Sequence, residues 1–235
     1  MLQEVFFHTW ISDFFKKVIV RLFTRGLFWA LLLLVTIKVG QAQTSTNNTM
    51  SASEAQKLEA VLKEPMAGAG PQNMLITPGK VHWILEKQEP EKEPVIKGTV
   101  TFPDINFTID LSFRRNLSQD LAASHIISLV FSDKSDTSTR LVKDFAGVEM
   151  RDNPGSQGKY LKGLSIPLEQ NSYAIALFKT DFDIKSNLDL LKEYDWFSFP
   201  IMFSNGRTGF LFFSKGEEGI KIFDEALSTW AQNGH

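Results

Sequence analysis

Two adjacent arginines have the clearest capacity for binding in this sequence. Arg114 and Arg115 end a strand-like segment and precede Asn116. Two guanidinium groups can hold a carboxylate or a phosphate through paired, charge-assisted hydrogen bonds. A charged strand end that pairs with a nearby acid, such as Asp120, accounts for the same residues, and we favour that simpler interpretation.

Histidine and cysteine usage predicts neither a catalytic site nor a metal site. The four histidines, His8, His82, His125 and His235, are far apart in the sequence, and cysteine is absent. Thiolate zinc sites, iron–sulfur clusters and cysteine nucleophiles are therefore excluded. Ser124-His125 resembles a nucleophile beside its base, but neighbours in a strand point to opposite faces and no G-x-S-x-G motif is present. We predict no catalytic residue, no metal and no cofactor, and we keep His125 as a candidate contact residue.

Further polar residues interrupt the aromatic C-terminal part of the chain. Its phenylalanines suit a hairpin covered by a helix, so contacts with a partner would come from the polar exceptions. These candidate contact residues are Lys192, Asn205, Arg207 and Lys215.

Charge separates the N-terminal segment from the rest of the chain. Residues 1–42 contain five Lys or Arg and two Asp or Glu, whereas residues 43–235 contain 20 and 25. The second part is mildly acidic and has no run of bases. We therefore expect no nucleic-acid partner.

The N-terminal residues predict a membrane segment. Residues 1–25 mix aromatic and basic side chains, as a cytoplasmic or interfacial amphipathic segment does, and residues 26–42 contain the uncharged core GLFWALLLLVTI. This core is either a transmembrane anchor, with Arg25 and Lys38 snorkelling, or a signal-peptide core cleaved near residues 40–42. Bases precede the core in both cases, so the following residues face out of the cytoplasm. We expect a single-pass inner-membrane protein with a periplasmic domain, or a periplasmic protein after cleavage.

Residues 43–79 predict a linker with a short helix, and residues 80–235 predict a β-rich globular domain. Residues 51–54 read SASE, a capping-box pattern that starts helices. Apolar residues follow the box at helical spacing: Ala55, Leu58 and Leu62.

Alternating side chains predict an antiparallel sheet with one solvated face. From residue 105 to 114 apolar and polar residues alternate without a break. Further short strand-like segments follow at 126–131, 145–151, 161–168 and 173–178. The predicted fold class is α+β, mainly β: an antiparallel sandwich or open barrel with two C-terminal helices, preceded by an N-terminal membrane helix.

The C-terminal part predicts a hairpin between two helices. A helix over 183–194 would start at Asp183 or Ser186 as N-cap. Asn205-Gly206 predicts a two-residue type I′ turn, with both residues at positive φ. The closing helix carries an apolar stripe: Ile220, Phe223, Leu227 and Trp230.

Several segments of residues 80–232 resemble an uncharacterised family of bacterial membrane-anchored or exported proteins, a domain of unknown function. The segments are FRRN at 113–116, ASH at 123–125, GLSIPL at 163–168 and LLKEYDWFSFPIMFSNGRTGFLFFSKG at 190–216. Residues 132–142 depart from the glycine-rich loop of that family. The resemblance implies a shared fold and supplies no activity.

Three functional hypotheses remain. The first is a non-enzymatic interaction or structural module of the envelope, with an unknown protein partner and an inner-membrane contact through the N-terminal helix. The second is an envelope hydrolase or small-ligand sensor that uses an Arg/His pocket. The third is an accessory subunit of an inner-membrane complex.

Overall fold

The structure is a computed structural model that describes residues 58–66, 73–88, 93–135, 140–169 and 171–232. The predicted membrane segment and the start of the predicted linker lie outside these residues. In chain order the strands are β1 Ala60–Pro65, β2 Met74–Gln88, β3 Glu93–Phe102, β4 Phe107–Arg115, β5 His125–Asp133, β6 Val142–Phe145, β7 Glu149–Arg151, β8 Lys159–Tyr160, β9 Gly163–Glu169, β10 Ser172–Leu177, β11 Trp196–Phe203 and β12 Thr208–Ser214. The helices are a 3-10 turn Pro103–Ile105, α1 Asp181–Glu193 and α2 Gly216–Gln232.

The strands form one curled antiparallel sheet. Its order is β8-β7-β11-β12-β1-β2-β3-β4-β5-β10-β9, with β6 also paired to β11. The long β2 joins the two halves, because its first part pairs with β1 and its second part with β3. A mainly β, antiparallel fold with two C-terminal helices is therefore confirmed.

The short helix predicted before residue 65 is wrong where the structure describes it. Ala60–Pro65 forms β1, which pairs with β12 on one side and β2 on the other. Ala60, Val61 and Leu62 are all fully buried, so both faces of this strand are apolar. Such a run fits a buried helix or a central strand equally well by sequence. The β-rich domain thus begins before residue 80.

Trp83 on β2 occupies the centre of the core. Its ring centroid lies 5.2 Å from that of Phe223 on α2 and 5.8 Å from that of Phe197 on β11. Its indole Nε1 donates a hydrogen bond to the Ser214 carbonyl oxygen, 3.1 Å away. Gly98 is opposite Trp83 in the β2–β3 register, where a β-carbon would overlap the indole. One side chain therefore joins both halves of the sheet to α2.

The alternating segment at 105–114 is a strand, as predicted. Phe107, Ile109, Leu111 and Phe113 are buried on β4, and the intervening residues are partly or fully exposed. Ile105 lies instead in the 3-10 turn, whose C-cap Asn106 has φ 50°. The segment at 145–151 is two strands, because Gly147 at φ 111° separates β6 from β7.

Two local predictions in the C-terminal part are wrong. Gly206 has a positive φ but Asn205 does not, so the turn is not type I′. Gly206 N donates to the Phe203 carbonyl and Phe203 N to the Arg207 carbonyl, which gives a three-residue loop with a bulge at glycine. The N-cap of α1 is Thr180, whose hydroxyl accepts from Asp183 N at 3.1 Å.

Candidate functional site

A cleft of about 300 Å³ contains both arginines that the sequence singled out. It lies where β4 ends and the loop to β5 begins. Its lining comes from β3, β4, the β4–β5 loop and β5: Glu93, Pro94, Val95, Arg114, Arg115, Asn116, Leu117, Ser118, Leu121 and Ile126. We call it the Arg114 cleft.

The two arginines have different roles because they lie on opposite faces of β4. Arg115 Nη2 is 3.4 Å from Glu93 Oε1, and both side chains are mostly buried. Arg114 is opposite Val95 and Ile126 in the register and is exposed. Its guanidinium makes no ion pair with any other residue that the structure describes. Arg114 is therefore available to an external anion, whereas Arg115 is already neutralised by Glu93.

Asn116 shapes the loop beside Arg114. Its side-chain nitrogen lies 3.0, 2.9 and 2.9 Å from the carbonyl oxygens of Ser118, Leu121 and Ala123. These bonds close a compact loop that leaves Leu117 and Leu121 exposed at the rim of the cleft. The cleft thus combines one cation with apolar surface.

His125 is placed away from the cleft lining. It is buried opposite Arg115 in the β4–β5 register, and its ring centroid is 5.0 Å from that of Trp230. The Ser124 hydroxyl donates to the Phe178 carbonyl oxygen at 3.0 Å and is therefore engaged away from the His125 ring. Ser124 and His125 therefore do not form a nucleophile–base pair.

The remaining predicted contact residues have separate surroundings. Lys192 is exposed in the last turn of α1, and Lys215 is buried between α1 and α2. Asn205 Oδ1 accepts from Arg207 N within the β11–β12 loop. Arg207 Nη2 lies 2.7 Å from Glu64 Oε1. Their contacts do not bring them together with the Arg114 cleft.

The sequence reasoning missed a buried ion cluster at the end of β1. Glu64 is fully buried and bonds Arg207 through Oε1 and Arg140 through Oε2, the latter at 3.2 Å. Glu64 shares a face of β1 with Ala60 and Leu62, but the sequence did not reveal this, because residues 60–62 are all apolar and show no alternation. A charge at that register needs a buried partner.

Among the described lysines, Lys215 has the pKa that burial lowers most. Its Nζ donates to the Leu191 carbonyl oxygen at 2.6 Å and lies 5.0 Å from the Phe223 ring centroid. Burial lowers the pKa of Lys215 from 10.5 to about 8, against the opposing pull of Asp195 and Asp224. The Lys215 ammonium is therefore directed into the fold.

This burial predicts a pH-dependent stability. Below pH 8 the folded and unfolded states both hold the Lys215 proton, and between pH 8 and 10.5 the unfolded state holds more. We expect the free energy of unfolding of the wild type to rise with pH in this window by ~2–3 kcal/mol relative to Lys215→Met. Denaturant titrations at several pH values would measure the difference. Lys192→Met, which removes an exposed lysine, should follow the wild type; identical profiles for Lys215→Met and the wild type would contradict the prediction.

Within the described residues, no group of three or more His, Asp or Glu is placed to hold a metal ion. No described helix has the length and apolar character needed to cross a membrane. Comparison with protein-family models, with curated proteins and with solved structures found no match.

Proposed function

We propose that this chain is a non-enzymatic interaction module of the cell envelope whose Arg114 cleft contacts an anionic group on a protein partner. The supporting observation is the exposed Arg114 guanidinium, which has no ion pair among the described residues and has apolar side chains beside it. An exposed guanidinium favours complementary negative charge on a partner. Arg115 supports the cleft wall through Glu93.

The proposed location is the outer side of the inner membrane. The basic residues ahead of the apolar core at 26–37 favour retention of the N-terminus inside and passage of the later residues outward. The domain would remain tethered there, or would be released into the periplasm after cleavage near residue 42. Membership of the bacterial family that it resembles is part of the same proposal.

The hydrolase or sensor alternative has less support. It needs Arg114, Arg115 and His125 around one pocket, but His125 packs against Trp230 on the face opposite to Arg114. The accessory-subunit alternative places the contact in residues 1–42 instead. It predicts that partner recovery depends on that segment and not on Arg114.

Replacing Arg114 with alanine should remove the partner. With a tagged full-length chain crosslinked in intact cells, we expect recovery of the specific partner to fall about tenfold, because one charge-assisted contact is lost. Lys80→Ala, which removes another exposed cation, is the matched control and should leave recovery unchanged. Quantitative mass spectrometry of the captured proteins measures both.

Two results would overturn the proposal. One is full recovery of every captured protein with Arg114→Ala. The other is turnover of ester, peptide or glycan substrates by the purified full chain that is lost with His125→Gln.

A further inference from the structure

A second exposed apolar feature lies around the start of β9, where Leu164 is on the same face of the sheet as Arg114, Phe178 follows β10 and Phe182 lies in the first turn of α1. Leu164, Phe178 and Phe182 have relative exposures of 57%, 43% and 73%. We call these three residues the Leu164 patch. Large apolar side chains exposed together are uncommon on a soluble surface that has no partner.

The position of α1 fixes the patch. The buried Asn187 accepts from Lys162 N at 2.7 Å and donates to the Lys162 carbonyl oxygen at 2.9 Å, which attaches α1 to the start of β9. Lys162 Nζ lies 4.0 Å from the centroid of the Phe182 ring and 3.1 Å from Asp183 Oδ1. Phe182 is therefore held beside the sheet in spite of its exposure.

Strand register connects the patch to the Arg114 cleft. Arg114 is opposite Ile126, Ile126 is opposite Ala176, and Ala176 is opposite Leu164. These three steps across the sheet correspond to about 14 Å. The two intervening side chains are uncharged and apolar. One row of the sheet therefore presents a cation at one end and an apolar surface at the other.

The geometry of β9 disfavours a partner that extends the sheet. Phe178 N donates to the Lys162 carbonyl, so this carbonyl and the backbone groups of Leu164 point towards β10. The groups of Ser165 and Pro167 then point to the free edge, where proline offers no N–H. A partner would consequently lie across the face of the sheet and would not add a strand to it.

We propose that the partner presents an extended segment with a carboxylate and, about four residues away, a large apolar side chain. This inference rests on the proposed function and specifies its partner. About four residues of extended chain span the ~14 Å between Arg114 and the Leu164 patch. The carboxylate complements the Arg114 guanidinium, and the apolar side chain covers Leu164 and the two phenylalanines.

Charge balance favours a protein segment over a lipid surface. Beside the patch, Lys162 pairs with Asp183, and the chain also carries one further lysine, Lys179, and one further aspartate, Asp181. An anionic membrane is held by a surplus of several basic residues, and this balance supplies none at the patch. A single carboxylate aimed at Arg114 requires only one cation.

Site-specific photocrosslinking tests the proposal in the full-length chain in its own cells. The photoreactive residue p-benzoylphenylalanine would replace Leu117 beside the cleft or Leu164 in the patch, with the exposed Leu75 on the first part of β2 as control. We expect both positions to label one protein within one segment that contains Asp or Glu and an apolar residue about four positions apart. Arg114→Gln should lower labelling from Leu164 about tenfold. Labelling of lipid, of a second copy, of two unrelated proteins, or of nothing would overturn the inference.

A synthetic peptide with the sequence of the labelled segment separates the two contacts. Exchange of its carboxylate for an amide should weaken binding to the wild type about tenfold and should have no further effect on Arg114→Gln. Leu164→Ser should weaken binding of both peptides, and the peptide with the carboxylate should still bind about tenfold more tightly than the peptide with the amide.

If Arg114→Ala abolishes partner recovery but Leu164 gives no adduct, this inference fails and the proposed function stands. If Arg114→Ala has no effect on recovery, both fail.

Discussion

Replacing Trp83 with alanine should lower the free energy of unfolding by about 3–5 kcal/mol. The indole contacts phenylalanines from β4, β11, β12 and α2, so its removal leaves a cavity that no single element can close. The substitution also removes the bond from Nε1 to the Ser214 carbonyl. Because a domain of this size is stabilised by roughly 5–15 kcal/mol, the variant should be close to unfolding. Urea titration followed by circular dichroism would measure the change.

Two controls separate the volume of Trp83 from its hydrogen bond. Trp83→Phe keeps the aromatic contacts and loses the N–H donor, so its cost should be intermediate, about 2 kcal/mol. Leu164→Ala removes an exposed side chain and should change stability by no more than about 0.5 kcal/mol. A loss below about 1 kcal/mol for Trp83→Ala would contradict the central packing role.

Glu64→Gln should destabilise the fold by about 3 kcal/mol. The change keeps the shape of the side chain but removes the ion pair of the Arg140 guanidinium, whose side chain is only 13% exposed. Arg207 is 44% exposed and can regain water, which limits the loss. Denaturant titration of the purified full chain measures the effect. We expect the slope of the free energy of unfolding against denaturant concentration to stay unchanged.

The other members of this cluster provide the matched variants. Arg207→Gln leaves Glu64 paired with Arg140, so its cost should be about 1 kcal/mol. The double variant Glu64→Met with Arg140→Met removes both buried charges and should recover much of the stability lost in Glu64→Gln. Equal losses of stability for Glu64→Gln and Arg207→Gln would contradict the prediction that the buried Glu64 carboxylate stabilises the fold through both arginines.

Strands with one wet face were predictable, whereas β1, which is buried on both faces, was not. β12 is also buried on both faces from Leu211 to Ser214, but the Asn205-Gly206 turn indicated a hairpin there. The alternation from Phe107 to Phe113 identifies β4, because only a period of two puts every second residue in the core. Ala60–Leu62 shows no alternation, since β12 and β2 flank β1 and both of its faces are covered. The turn at Gly206 was located correctly, but its loop length depended on strand register that the dipeptide does not encode.

The candidate site shows a similar division. The sequence indicated that Arg114 and Arg115 could bind an anion, but not that opposite faces of β4 give them different partners. Arg115 pairs with Glu93 from the neighbouring strand and not with the nearby Asp120. Local sequence favours a local partner, whereas the β3–β4 pairing supplies a distant one. Lys215 was expected to make external contacts, yet its side chain is buried and its ammonium donates to the Leu191 carbonyl oxygen.

The neighbours of β1 determine when this domain can fold. β1 is the first described strand, and its partner β12 follows about 150 residues later. A chain emerging from the ribosome or a translocation channel therefore keeps one edge of β1 unpaired until almost the whole domain has been released. Loop closure over such a length makes folding slow compared with that of locally connected domains. Polypeptides interrupted before β12 would expose an apolar strand edge, which marks them for aggregation or for removal by proteases.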